Sequence, residues 1–204
     1  MNLFEAAQEL LPPGVRLERR GCLGRCGSGP NLALNPSGLL ISYCATPAQL
    51  ANLIERQCLG GDGTRLILHA FELRLQGNAA AERGKLAQAE ALYTQALGVG
   101  APRGDHLLLA NRSSVRLQQG NTAGALEDAL AAQAGGPADW TRGLVREAEA
   151  RAAAGDAAGA RAALDRASEI DAFILKDPDV AETLAAVSEE TTFVSIEDDE
   201  YDSD

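Results

Sequence analysis

Aromatic side chains are scarce in this 204-residue chain, at 4%, with one tryptophan and three tyrosines. Sandwiches and barrels lean on bulky aromatic and β-branched residues, so the shortage disfavours them. The hydrophobic fraction is nonetheless 46%, dominated by alanine, which suits closely packed helices. Bases are also in short supply, 18 against 29 acids, for a net charge of −11. A phosphate backbone needs a concentrated cationic surface, so nucleic acid is excluded as the expected partner. No run is long and apolar enough to span a bilayer, and no charged-then-apolar leader opens the sequence. Any organelle-targeting segment is therefore expected to be missing from this version of the chain. Histidine is limited to His69 and His106, and no nucleophile–base pairing or phosphate loop stands out. The expectation is a protein that is not an enzyme.

What is present is unevenly distributed. Eight of the 29 acids (Glu189, Glu190, Glu197, Asp198, Asp199, Glu200, Asp202 and Asp204) fall in the last sixteen residues, leaving 21 acids against 18 bases elsewhere. The body is nearly neutral, and residues 191–204 read as a disordered acidic tail. This tail ends in an aspartate and is expected to compete with an acidic ligand, in its own molecule or a neighbour. All four cysteines (Cys22, Cys26, Cys44 and Cys58) lie in the first third, joined to a thiol-free body. That is too sparse for a secreted disulfide framework and implies a reducing compartment.

The body is periodic. Gly84, Gly120 and Gly155 are separated by 36 and 35 residues; Ala89, Ala125 and Ala160 follow by five, and Ala96, Ala132 and Ala167 by twelve. Each unit reads as helix, tight turn at glycine, helix. The expected pairs are 70–83 with 86–97, 106–119 with 122–133, and 141–154 with 157–170. After Pro178, Val180, Leu184 and Val187 share an amphipathic stretch that would cap the array. These registers, and the string LQGNAAAERGKLAQAEALYTQAL from Leu75 to Leu97 with its Tyr93, resemble the tetratricopeptide repeat. The sequence departs from that pattern at Arg116 and Arg151, where a tyrosine is usual, and by one or two extra residues between units.

The resemblance implies that the first helix of each unit lines a concave groove. Arg74 and Asn78 share a face of the first, Asn111 lies on the second, and Arg142 and Arg146 share a face of the third. These five resemble the two-carboxylate clamp of heat-shock organising co-chaperones, which holds the C-terminal aspartate of a peptide. Amide donors and fixed-fork guanidiniums suit a main-chain and a side-chain carboxylate together. Arginine stands at two places where lysine is common in that family, which keeps charge but alters geometry. Asparagine is rare, 7 of 204 residues, and two sit where an amide is required. The bland alternative makes Asn78 ordinary repeat consensus and the arginines solvated or paired with nearby acids.

Residues 1–60 read differently. A helix is expected over 3–11, a strand over 15–18, and a glycine-rich loop carrying Cys22 and Cys26. Strands over 31–34 and 39–43 then flank the turn Asn35-Pro36-Ser37-Gly38, and Thr46-Pro47-Ala48-Gln49 opens a helix with a capping box. The string CLGRCGSGPNL, followed by hairpin and helix, resembles the second half of thioredoxin-like two-iron two-sulfur ferredoxins. There C-x3-C supplies two of the four cluster thiolates, so a [2Fe-2S] cofactor would need its missing ligands from elsewhere. Core thiols plus two vestigial ligands is the plainer reading of the four cysteines. The first strand of that family is absent, so Met1 reads as a truncated start or the segment as a remnant that another surface covers.

The expectation is thus mostly α: three tetratricopeptide helix–turn–helix repeats and a capping helix over 66–190, a partial α/β thioredoxin-like segment over 1–60, and the tail. The function expected is a protein-binding adapter, co-chaperone or assembly factor taking the acidic C-terminal peptide of a heat-shock chaperone or assembly client. The alternative is an iron–sulfur or thiol redox protein whose repeats dock it to a client. Self-association through the tail or an incomplete sheet is a further expectation. The two-part arrangement resembles plant, algal and cyanobacterial proteins, which implies the plastid stroma, with the cytoplasm as the other setting.

Overall fold

The computed structural model describes residues 11, 16–18, 31–34, 37, 39–42, 46–57, 63–101 and 103–189. The four cysteines, residues 3–10 of the helix expected over 3–11 and the acidic tail lie outside these residues. The chain divides into two compact units, Met1–Asp105 and His106–Asp204.

Among the described residues the first element of the first unit is a hairpin, β1 (Leu32–Leu34) and β2 (Leu39–Ile41), antiparallel with Leu32 opposite Ile41 and Leu34 opposite Leu39. The expected strand over 15–18 does not form at Arg16–Glu18, which has no regular structure. An extended segment becomes a strand only by ladder bonding, and the sheet of the described residues contains β1 and β2 alone. Helix α1 (Pro47–Gln57) begins at the expected capping box. The Gln49 N–H donates to Thr46 Oγ1 at 3.2 Å, and the Thr46 N–H donates to Gln49 Oε1 at 3.1 Å. Leu50 and Ile54, four apart, are buried on the face that packs against α2 (Gly63–Glu82).

Helix α2 starts two turns before the expected residue 70. The reason is legible in its core: Ile67, Ala70, Phe71 and Leu73 are all buried, so the apolar stripe continues N-terminally. It pairs with α3 (Leu86–Gly98). The second unit holds α4 (Asp105–Gln118), α5 (Thr122–Gly135), α6 (Thr141–Ala153) and α7 (Ala157–Ile170). A 3-10 turn at Ile174–Lys176 leads to α8 (Pro178–Glu189).

The three turns at the repeat glycines are built alike. Gly84, Gly120 and Gly155 have φ of 70°, 79° and 80°, a region that side-chain-bearing residues resist. The N–H after each glycine reaches back to close the helix end, Lys85 to Ala80 O, Asn121 to Arg116 O and Asp156 to Arg151 O, each at 2.9 Å. Gly84, Gly120 and Gly155 themselves donate to Ala81, Leu117 and Ala152, completing three Schellman closures. The alanines of both registers (Ala89, Ala125, Ala160, Ala96, Ala132 and Ala167) are wholly buried. A small side chain there is what lets paired helices approach. In the second unit Val180 and Val187, with Leu184 beside them, close the core made by Val145, Ala148, Ala160, Ala163 and Leu164, which is the capping role expected of α8.

Asp156 caps α7. Its Oδ1 accepts from the Gly159 N–H at 2.9 Å and its Oδ2 from Arg151 Nη1 at 2.6 Å. First the Gly159 bond and then the Arg151 bond hold its carboxyl below the ordinary value of 3.8. A depressed carboxylate contributes stability that is complete above its unfolded value and lost as pH falls through the lower folded one. Asp156→Asn keeps a cap acceptor but not the charge. We expect the variant to be less stable than wild type at pH 7 in urea titrations. The gap should shrink as pH drops below 3.8.

Candidate functional site

The five candidate ligands divide between the units. In the first, Arg74 and Asn78 stand one turn apart on α2. Arg74 is buried, 9% exposed, and its guanidinium carbon lies 5.5 Å from the Phe71 ring centroid, a cation–π contact. Asn78 is half-buried, and its Oδ1 accepts from the Tyr93 hydroxyl of α3 at 2.8 Å. In the second unit Asn111 is half-buried on α4. Arg142 is exposed in the first turn of α6, with no side-chain hydrogen bond or ion pair among the described residues. Arg146, one turn on, is half-buried, and its Nη1 lies 2.5 Å from Glu149 Oε2. That i, i+3 pair is intrahelical, one of the two states the plainer reading gave the arginines.

Arg142 follows the chain's single tryptophan by two residues. Trp140 meets His106 edge to face, with ring centroids 4.9 Å apart and planes at 89°. Gly136 and Gly143 make room for it: a Cβ on either would fall 2.6 or 2.4 Å from Trp140 Cε3. His106 is therefore a packing residue at the entrance to α6, and Trp140 is a built-in optical reporter beside Arg142.

The arginines in the tyrosine places are ion-paired. Asp128 on α5, 2% exposed, accepts from Arg112 Nε and Nη2 at 2.8 and 2.7 Å and from Arg116 Nη1 at 3.0 Å. In the next repeat Arg151 Nε lies 2.9 Å from Oε1 of buried Glu147, whose Oε2 is 3.6 Å from Arg166. Sequence reasoning missed the Asp128 network. The signal was there: Asp128 falls three residues after Ala125 and four before Ala132, an acid on the alanine stripe that requires cations opposite.

Cys22 and Cys26 lie outside the described residues, and two thiolates are half of what a [2Fe-2S] cluster takes, so the pair alone does not fit that cofactor. Among the described residues, no group of three or more His, Cys, Asp and Glu is placed to hold a metal ion. No described helix is long and apolar enough to cross a membrane.

Glycine-closed helix pairs at a period of 35 to 36 residues, with buried alanines in two matching registers, define a mostly helical fold of tetratricopeptide repeats. No protein-family model matches the sequence, and no curated protein matches it. Solved structures do. The first tetratricopeptide domain of Spaghetti (RPAP3), bound to the HSP90 peptide SRMEEVD, is similar over 61% of this chain and 94% of its own, at 23% identity and a TM-score of 0.53. The Sgt2 domain from Aspergillus fumigatus is similar over 60% of this chain and 78% of its own, at 27% identity and a TM-score of 0.53. The TPR2B domain of yeast Sti1, in its pHsp70 complex, is similar over 60% of this chain and 98% of its own, at 23% identity and a TM-score of 0.53.

Proposed function

We propose that this chain is a protein-binding adapter of the co-chaperone kind, whose repeats take the acidic C-terminus of a partner protein. The observation that carries the reading is the residue set on the first helices of the three repeats: two asparagine amides, Asn78 and Asn111, and three guanidiniums, Arg74, Arg142 and Arg146. Amides donate to carboxylates without adding charge, and guanidiniums pair with them in a fixed fork. The similar structures bound to SRMEEVD and to pHsp70 support the same class of ligand. Arg142 is exposed, and it would make the first encounter with an anionic terminus. Arg146 already donates from Nη1 to Glu149 Oε2, so an incoming carboxylate would share that guanidinium or displace Glu149 from it. Within this reading the partner is a heat-shock chaperone or an assembly client. Affinity capture with the intact chain, using Arg142→Ala as the control bait, tells the two apart. The iron–sulfur alternative rests on the Cys22/Cys26 spacing alone, and no described residue adds to it.

The test is a titration followed by Trp140 fluorescence. A peptide ending in Glu-Glu-Val-Asp should bind saturably. The same peptide with an amidated C-terminus should bind about tenfold or more weaker, because one charged hydrogen bond contributes roughly 1.5–3 kcal/mol. Equal binding of acid and amide would remove the carboxylate from the recognition and with it this reading.

A further inference from the structure

The contact between α2 and α3 is close where Gly77 meets Tyr93. A Cβ on Gly77 would lie 2.5 Å from Tyr93 Cε1 and 2.8 Å from Cδ1, so only glycine admits the ring at this depth. Tyr93 is 2% exposed. Laid across Gly77, the ring brings its hydroxyl to the next residue, where it donates to Asn78 Oδ1 at 2.8 Å. The corresponding positions of the other repeats hold Ser113, Ala129 and Ser114, and Ala148, Leu164 and Glu149. The glycine–tyrosine–asparagine trio therefore occurs once, at the repeat that carries Asn78, one of the two candidate asparagine ligands.

An asparagine amide has an acceptor end and a donor end of nearly identical shape, and nothing in its own rotamer chooses between them. A carboxylate can use only the donor end; a carboxamide can use either. Here the hydroxyl takes the oxygen, which directs the N–H2 end away from Tyr93. We propose that Tyr93 is a positioning residue for ligand recognition: by holding Asn78 Oδ1, it sets the amide so that the protein distinguishes a C-terminal carboxylate from a carboxamide. This rests on Asn78 being one of the groups that meet the peptide. It assigns to a buried tyrosine, otherwise only a core side chain, a share in specificity.

The experiment uses the full chain and the two Glu-Glu-Val-Asp peptides, free acid and amide, below the unfolding transition of every variant. Tyr93→Phe keeps the ring and removes the hydroxyl. The ratio of acid to amide affinity is expected to fall at least threefold, because the hydroxyl no longer holds the oxygen end of the Asn78 amide. A purely structural tyrosine would leave that ratio unchanged, and an unchanged ratio overturns the inference. Repeating the substitution in an Asn78→Ala background supplies the second reading: there Tyr93→Phe should leave the ratio alone, and a fall of the same size would show that the effect does not pass through Asn78. A wild-type chain with no preference for the acid contradicts the adapter reading itself and takes this inference with it. The outcomes are therefore separable.

Discussion

Asp128→Ala is expected to cost about 3–5 kcal/mol of stability, the range for removing one partner from a buried ion pair. The carboxylate side chain is 3% accessible, and the two arginines that fork onto it are 14% and 19% accessible. Arg116 also donates to Gly124 O at 3.3 Å, so it is fixed from two sides of the α5 start. Truncation takes from two guanidiniums the carboxylate they share, and a cavity the size of a carboxylate does not admit enough water to replace it. Some outward swing of Arg112 and Arg116 places the expectation at the lower end of the range. Urea denaturation followed by circular dichroism measures it. A loss below about 1 kcal/mol, the value of an exposed pair, would show that the network is solvated rather than structural.

Gly77→Ala is expected to reverse the usual sign of a glycine-to-alanine change within a helix. In an open helix interior the substitution stabilises by roughly 0.5–1 kcal/mol, through propensity and a less flexible unfolded chain. Here the added methyl meets the Tyr93 ring, which is 2% exposed and anchored through its hydroxyl, so it has nowhere to yield. Overpacking of this kind costs about 1–3 kcal/mol. The third repeat shows how the clash is avoided: alanine at Ala148 faces the same core as leucine at Leu164. Tyr93→Leu should accordingly make Gly77→Ala neutral or favourable. A double-mutant cycle in urea should give a coupling of about 1–3 kcal/mol. Additive effects would mean that the ring moves aside freely and that the seam is not the close contact described.

Much of the body was legible because its signals are local and repeated. A glycine with positive φ, an alanine five residues on and another at twelve recur three times, and backbone strain together with helix packing leave few other ways to read them. The start of α2 was not legible because the periodic register begins at residue 70, whereas buried Ile67 extends the apolar stripe ahead of it. The strand expected over 15–18 failed for a different reason: strand formation depends on a partner distant in sequence, which extended-looking residues do not specify. The candidate ligands were legible as residue types at helical spacings. Their states were not. That Arg146 is paired with Glu149, that Arg74 is buried over Phe71, and that Tyr93 holds Asn78 all depend on rotamers. Arg116 and Arg151 stand out in the sequence as departures from the repeat pattern, yet their role depends on the acids that meet them, Asp128 in one repeat and Glu147 with Asp156 in the next.

The proposed adapter role requires that an acidic C-terminal peptide bind through the amides and guanidiniums of the first helices. Calorimetric titration of the wild-type chain and the Asn111→Ala, Arg142→Ala double variant with a peptide ending in Glu-Glu-Val-Asp tests it most directly. Each lost charged hydrogen bond is worth about 1.5–3 kcal/mol, so affinity should fall by more than about tenfold, with the variant's melting transition close to that of wild type. Equal binding by the two proteins would contradict the claim.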